Sequence, residues 1–324
     1  MIMNYMENNL LSIVIPSRSP QYLNKTIDDL LKKSEGDVEI IVVLDGIWNE
    51  IVEDKRVTYI HHGTIHKNLG MREGINRGVS ISKGKWIMKV DEHTMWGQGY
   101  DKILKENCEE QTVVIPRRKR LDAEKWEIVN DGRQDIDYMY VEYPYAKPFD
   151  KTQGLHGAEW RQRFIDKKDE MISDTPTMQG SAYFMQRKHW DNTIKELSTE
   201  KYGPFTQEAQ EISMSTWLSG GRVVVNKNTF YAHLHKGSKG KSYGFSKEQY
   251  KQHSEWNEKG RLYCINYWLN TKDYKYNFDW FVNKFSDMPG WSKDWRARVE
   301  VDKLKDDSTL KYKDDYWLSN LRTK

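Results

Sequence analysis

The apolar positions of this chain fall into two rhythms that take turns. Leu10–Ser17, "LLSIVIPS", is an unbroken β-branched run closed at Pro16, the pattern of a strand buried on both faces of a parallel sheet. Residues 21–33 follow with Leu23, Ile27, Leu30 and Leu31 at helical spacing. Val38–Gly46, "VEIIVVLDG", is a second buried strand ending at Asp45, and Arg56–Gly63 reads as a short third one. Met71–Ser82 is helical in pattern despite its glycines, and Lys85–Asp91, "KWIMKVD", is a fourth strand. Strands and helices alternating over short connections predict an open α/β sheet with right-handed crossovers.

In such sheets ligands gather at the carboxyl ends of the strands. Ser17, Asp45 and the pair Asp91 and His93 all fall there. In extended chain, positions i and i+2 share a side. Asp91 and His93 therefore converge, as a metal site, an acid–base pair or a coincidence of polarity. Asp45-Gly46 taken alone also fits an ordinary turn after a strand. Three polar groups at three strand ends make a stronger signal than any one of them.

Composition narrows the classes. The 13 Trp and 19 Tyr weigh against disorder. With 51 basic and 48 acidic residues the net charge is +3, too balanced to imply a nucleic-acid binder on bulk charge, though local basic clusters stay open. Cys108 and Cys264 are too few for a disulfide framework or a Cys-type zinc site. The opening "MIMNYMENNLLSIVIPS" lacks a basic segment, and its apolar run is short. A first strand is expected there, with no signal peptide or membrane span, and a cytoplasmic location. No G-x-G-x-x-G follows the first strand and no G-x-x-x-x-G-K-[ST] occurs. Dinucleotide and P-loop readings, an NAD-dependent oxidoreductase among them, lose their main support. A nucleotide whose diphosphate is neutralised by a metal stays open, and a carboxylate with an imidazole suits Mn²⁺ and related ions.

The segments "SIVIPSR", "VVLDG", "NLGMREGINRGVSISKGKWIMKVDEH" and "EAQEISMSTWLSGG" resemble, in order and spacing, the family 2 glycosyltransferases of the GT-A fold. Within that family they are most similar to the polypeptide N-acetylgalactosaminyltransferase branch, whose metal motif is Asp-x-His, as in Asp91-Glu92-His93. The resemblance spans residues 10–236. It implies a GT-A domain over 1–236, with a nucleotide-binding half at 1–96 and an acceptor and donor-sugar half at 97–236. A basic loop and helical extension then occupy 237–324.

Carried over residue by residue, the resemblance places Pro16, Ser17 and Asp45 around the uracil and ribose of a UDP-sugar. Arg72 would lie near the nucleotide, an exposed helix arginine being the alternative. Asp91 and His93 would hold the divalent ion, Mn²⁺ or Mg²⁺, with His233 (or His235, two residues on) as third ligand. Gly180 and Ser181 match the floor under the donor sugar, where a small residue lets backbone approach a ligand; a strand bulge is the plain alternative. The family often has two glycines here, so Ser181 leaves the sugar open. Glu208 and Glu211 sit three apart on a helix whose buried side is Ile212, Trp217 and Leu218, and which ends at Gly220-Gly221. One acidic residue there deprotonates the acceptor in inverting relatives and positions the sugar in the retaining branch. Register favours Glu208, with Glu211 close behind; both also fit ordinary helix-surface carboxylates.

Other stretches carry no family motif. "VVIPRRKRLD" reads as a strand followed by the basic run Arg117–Arg120, which fits a solvated loop or an acceptor contact. "DYMYVEYPYAKPF" is expected to form a hairpin or a lid near the acceptor. The tail opens on a basic, glycine-rich loop expected to order over the donor. Trp256, Trp268, Trp280, Trp291, Trp295 and Trp317 then belong to two or three helices, as packing or as an acceptor platform. With no signal anchor or lectin-type domain in the sequence, mucin-like protein glycosylation is not expected. The reading is a metal-dependent glycosyltransferase moving a sugar from a UDP-sugar to a hydroxyl acceptor. The basic run tilts the acceptor toward hydroxymethylated pyrimidines in DNA, as for some phage-encoded glycosyltransferases. A cell-surface glycan precursor, or a non-catalytic nucleotide-sugar-binding protein, is the alternative.

Overall fold

A computed structural model describes residues 8–18, 20–46, 51–64, 67–145, 154–235 and 246–303. The first four strands, β1 (Leu11–Ser17), β2 (Val38–Asp45), β3 (Val57–Gly63) and β4 (Trp86–Val90), form the parallel part of the sheet, with β1 between β2 and β4. Helix α1 (Leu23–Lys33) follows β1, and α2 (Met71–Ile81) precedes β4. This is the alternation that the apolar pattern predicts. The two faces of β1 also follow its period of two: Ile13 and Ile15 pack with Leu23, Ile27 and Leu30 of α1, whereas Val14 packs on the other side with Ile75 and Val79 of α2.

Beyond β4 the sheet becomes mixed. The chain runs through β5 (Thr94–Trp96), α3 (Tyr100–Glu106), β6 (Thr112–Asp122), β7 (Glu127–Ile128), β8 (Met139–Val141), β9 (Gly157–Glu159), α4 (Arg161–Asp166) and β10 (Ile172–Asp174). There follow β11 (Ala182–Gln186), the single turn α5 (Arg187–His189), α6 (Thr199–Tyr202), α7 (Glu208–Leu218), β12 (Arg222–His233), α8 (Lys247–Asn270) and α9 (Phe278–Lys284). The sheet order is β3-β2-β1-β4-β11-β6-β12-β10, with β11 antiparallel to both β4 and β6, and β12 parallel to β6. Strand β12 shifts register between Asn226 and Phe230. Past that irregularity it also pairs with β5, setting His233 opposite Thr94.

The basic run departs from expectation. Strand β6 continues through Arg117–Arg120 instead of giving way to a solvated loop. Arg117 forms a two-point ion pair with Asp137, Lys119 reaches Asp135 at 3.2 Å, and Arg120 donates to the Gln134 carbonyl at 2.7 Å. Arg118 is buried. Alternation along the strand, with carboxylates supplied from the facing segment, explains the departure. The aromatic segment forms β8, antiparallel to β9, with Tyr138 and Tyr143 buried. Residues 146–149 of that stretch, the glycine-rich loop at 236–245 and Trp317 lie outside the described residues.

The helices after residue 246 do not stand apart from the sheet. One apolar cluster joins Val14, Ile87 and Val113 to Trp217 of α7, to Cys264 and Trp268 of α8, and to Phe278, Trp291 and Trp295. Helix α8 opens on a capping box of Ser246 and Gln249. It crosses α6 so closely at Gly260 that a Cβ there would lie 2.2 Å from the Tyr202 carbonyl oxygen. Among the described residues no helix is long and apolar enough to cross a membrane.

Gly260→Ala should therefore overpack a backbone contact and lower the stability of the whole fold by about 1–3 kcal/mol, read as the midpoint of denaturant unfolding. An unchanged midpoint would mean that α8 docks loosely. A second expectation concerns acid. His189 is buried with Nε2 2.9 Å from Thr216 Oγ1, and burial pushes its pKa down to about 4. The unfolded chain, with an ordinary imidazole, binds the proton first. Folding stability contributed by neutral His189 is thus full above pH ~6.5 and falls as the pH drops toward 4, by up to about 3 kcal/mol. His189→Gln should flatten that part of the stability–pH curve, and an identical slope in parent and variant would refute it.

Candidate active site

A cavity of about 710 Å³ opens at the carboxyl ends of β1, β2 and β4. The first turn of α7 and one face of α8 also line it. Pro16, Ser17, Asp45, Asp91, His93, Gly180, Ser181, Glu208 and His233 all line it; Arg72 and Glu211 do not.

At its centre, Asp91, His93 and His233 bring one ligand atom each to within 4.8 Å of one another. Asp91 stands just past β4, and His93 follows two residues on, before β5. The β5–β12 pairing then delivers His233 from far along the chain. Asp91 Oδ2 lies 3.1 Å from His233 Nε2 and 4.0 Å from His93 Nε2. Arg118 Nη2, 3.1 Å from His233 Nδ1, orients that ring. His235 also lines the cavity but stands outside the three-residue cluster.

The ionisation of the cluster suits a cation. Burial would raise the Asp91 pKa, but Lys89 and the two imidazoles overcome it and hold the carboxyl far below its usual range. Burial also pushes His233 down to about 4, despite the opposing pull of Asp91, so the ring is neutral near pH 7. One carboxylate oxygen and two imidazole nitrogens form a donor set that fits Mn²⁺ and related divalent ions.

Sequence reading missed the residue at the heart of this arrangement. Lys89 is buried inside β4 with its Nζ 2.6 Å from Asp91 Oδ1 and 3.9 Å from Glu208 Oε2, and it donates to the Gly180 carbonyl. The signal was present: a lysine interrupts an apolar strand two positions before Asp91, hence on the same face. Glu92 was passed over as the middle of Asp-x-His. Its carboxylate accepts from the Ser17 hydroxyl and from the Arg18 amide at 3.0 Å, tying the end of β1 to the Asp91–His93 segment. Arg118 was hidden in the basic run.

The other predicted residues sort themselves by contact. Asp45 accepts the Leu69 and Gly70 amides, both at 2.8 Å, and so holds the "NLG" turn against β2 while facing the cavity. The Ser181 carbonyl accepts the Asp91 amide at 2.9 Å, and its hydroxyl meets the Tyr231 hydroxyl at 2.8 Å. Gly180 faces Glu208 so closely that a Cβ would come within 2.7 Å of Oε2. Burial raises the Glu208 pKa, and Lys89 only partly offsets this.

Arg72 and Glu211 correct the sequence reading. Arg72 is fully buried rather than exposed, and it does not reach the cavity. It forms an ion pair with Glu211 and donates to the Thr206 carbonyl through Nε at 3.0 Å and Nη2 at 2.8 Å. Helix α7 explains the difference. Nearly every residue in it is buried, so the two carboxylates three apart face different surroundings rather than solvent. Glu208 looks into the cavity; Glu211 needs a cation behind it. None of the five described tryptophans of the tail lines the cavity, and Trp268, Trp291 and Trp295 are buried in the core, so packing is their observed use.

Comparison with known proteins adds three findings. Residues 12–188, more than half of the chain, match the family model described as Glycosyl transferase family 2. The chain is similar to Glycosyltransferase GlyG of Streptococcus pneumoniae serotype 4, 28% identical over 144 residues that make up 41% of this chain and 44% of that one. An uncharacterized glycosyltransferase of Haemophilus influenzae is 27% identical over 144 residues, 42% of this chain and 44% of that one. The matches thus take in less than half the length of either relative. In fold, the chain is similar to the crystal structure of GalNAc-T7 with UDP, GalNAc and Mn²⁺, with a TM-score of 0.61 and 15% identity over 91% of this chain and 55% of that one. The fold is the GT-A arrangement.

Arg72→Met would leave the Glu211 carboxylate buried without its cation. A loss of about 3–5 kcal/mol in unfolding free energy is expected from denaturant titration. A loss below about 1 kcal/mol would show that Arg72 is not the strut of α7.

Proposed function

The chain belongs to glycosyl transferase family 2, and we propose that it moves a sugar from a nucleotide-sugar donor, a UDP-sugar, to a hydroxyl acceptor with the help of a divalent ion. The observation that carries this reading is the convergence of Asp91, His93 and His233 inside a cavity at the carboxyl edge of the sheet. UDP and Mn²⁺ accompany GalNAc-T7, whose fold is similar, and both are proposed for this chain.

Each wall then has a task. Pro16, Ser17 and Asp45 frame the nucleoside, on a surface that Glu92 and the "NLG" turn keep rigid. Asp91, His93 and His233 hold Mn²⁺ or Mg²⁺, which when bound lends positive charge to the diphosphate as the glycosidic bond breaks. Gly180 and Ser181 lie under the sugar, with no side chain at 180 between it and Glu208. Glu208 receives the proton of the acceptor hydroxyl, and burial, by raising its pKa, brings it closer to that task. Glu211 takes a supporting part: through Arg72 and the Thr206 carbonyl it fixes the start of α7, and so the stance of Glu208.

For the acceptor we favour a glycan hydroxyl. Of the basic groups that suggest DNA, Arg117–Arg120 are held by Asp137, Asp135, the Gln134 carbonyl and His233 instead of presenting a free cationic stripe, and the basic loop at 236–245 lies outside the described residues. Hydroxymethylated DNA stays in the test as the competing acceptor.

The test is thermal unfolding with UDP, with and without Mn²⁺, on the parent and on Asp91→Ala. UDP at ~100 times its dissociation constant should stabilise the parent by roughly 2.7 kcal/mol when Mn²⁺ is present, and should leave Asp91→Ala unmoved. If no nucleotide stabilises the parent with any divalent ion, the proposal fails. UDP-sugars, offered with glycan and hydroxymethylated DNA acceptors, then identify the pair by UDP release.

A further inference from the structure

Lys89 is the least expected residue of the site. It lies in the middle of β4 between Met88 and Val90, and only 1% of its surface is exposed. An ammonium that deep is costly unless its surroundings answer it. Three groups do: Asp91 Oδ1 at 2.6 Å, the Gly180 carbonyl within hydrogen-bond reach, and Glu208 Oε2 at 3.9 Å. These belong to three different pieces of the site. Asp91 is the carboxylate of the metal cluster, Gly180 begins the floor that leads into β11, and Glu208 opens α7.

The contact with Asp91 also divides that carboxylate. Oδ1 is taken by Lys89, whereas Oδ2 faces His233 Nε2 at 3.1 Å and His93 Nε2 at 4.0 Å. Meanwhile the Asp91 amide is fixed by the Ser181 carbonyl at 2.9 Å, so neither the main chain nor the side chain of Asp91 is free to turn. A cation that draws on Oδ2 leaves the Lys89 contact intact. One that pulled on both oxygens would compete with Lys89 for Oδ1.

We propose that Lys89 is a positioning residue that keeps Asp91 a one-oxygen ligand and couples occupation of the metal site to the placement of Gly180 and Glu208. This rests on the reading of Asp91, His93 and His233 as the metal site. It differs from simple charge balance, in which Lys89 would only offset two carboxylates and any metal-linked response would survive without it.

The test uses the full chain and Mn²⁺ alone. Free Mn²⁺ is counted by electron paramagnetic resonance, and amide hydrogen exchange is followed over residues 178–182 and 206–210. In the parent, saturating Mn²⁺ should slow exchange in both segments. Lys89→Met should bind Mn²⁺ at least tenfold more weakly, and at saturation it should no longer slow exchange in the 206–210 segment. Lys89→Met bears the risk of misfolding, since it strands the buried Glu208 and the half-buried Asp91. The pair Glu208→Gln and Lys89→Met/Glu208→Gln then carries the comparison, with the same tenfold loss expected between them. Parent-like affinity together with a parent-like exchange response in the Lys89 variants overturns the coupling and leaves the metal site standing. If the parent itself binds no Mn²⁺ and Asp91→Ala changes nothing, the metal reading falls and this inference with it.

Discussion

A charge cannot be buried alone, and the carboxyl edge of this sheet is built around that constraint. Lys89, Arg72 and Glu208 are almost entirely withdrawn from water, and Glu211 nearly so. Their pairings fall into two layers. Behind the cavity, Arg72 and Glu211 lock the start of α2 to α7. In front of them, Lys89 lies between Asp91 and Glu208 and so binds the central strand to the same helix. Because α7 is surrounded on every side, its acids at 208 and 211 each require a cation from another element, and the two cations come from residues 72 and 89. The helix is thereby fixed in rotation as well as in place. A turn of α7 about its axis would break both pairs together.

Strand pairing supplies what ionic contacts alone do not. The cluster of Asp91, His93 and His233 needs a residue from β12 beside residues that follow β4, although β11 and β6 separate those strands in the sheet. The irregularity between Asn226 and Phe230 resolves this by carrying the end of β12 into register with β5. His233 arrives next to Thr94, and its ring then lies 4.7 Å from that of His93, centroid to centroid. Register is specified wherever a strand is buried, and β12 is buried along nearly all its length. The cluster is thus a product of sheet geometry before any ion contributes.

How far this was legible depends on how local each signal was. The parallel strands and the first two helices could be read because period and burial are encoded in a few adjacent residues. The same holds for Asp91 and His93, whose convergence needs only the two-residue repeat of extended chain. His233 was reached by family register, since nothing in "FYAHLHK" itself points back to β4. Arg72 and Glu211 are placed at the ligand by family register, since the sequence does not display that each has the other as partner 139 residues away. The partners of Arg117, Lys119 and Arg120 are hidden for the same reason: two carboxylates and a carbonyl that lie 14 to 20 residues downstream, on a segment whose folding back the sequence does not display. Lys89 is the instructive case. An isolated lysine in an apolar strand announces a buried partner, and the i, i+2 rule names Asp91 as that partner.

The site is also assembled from two parts of the chain with different standing. The stretch that matches the family, residues 12–188, holds Ser17, Asp45, Lys89, Asp91, His93 and Gly180. Glu208, His233 and the cavity-facing residues of α8, among them His253, Asn257 and Arg261, lie beyond it. His253, Asn257 and Arg261 recur every four residues, so one face of α8 forms a continuous wall, while Cys264, Ile265 and Trp268 anchor the helix in the core. That wall lines the same cavity as the strand ends. The groups assigned to the nucleotide therefore come from the matched part of the chain, and much of the remaining wall comes from outside it. The anchorage of that wall includes the apolar contacts of Cys264, Ile265 and Trp268 and the Gly260 crossing, whereas α7 is held by the buried pairs with Lys89 and Arg72.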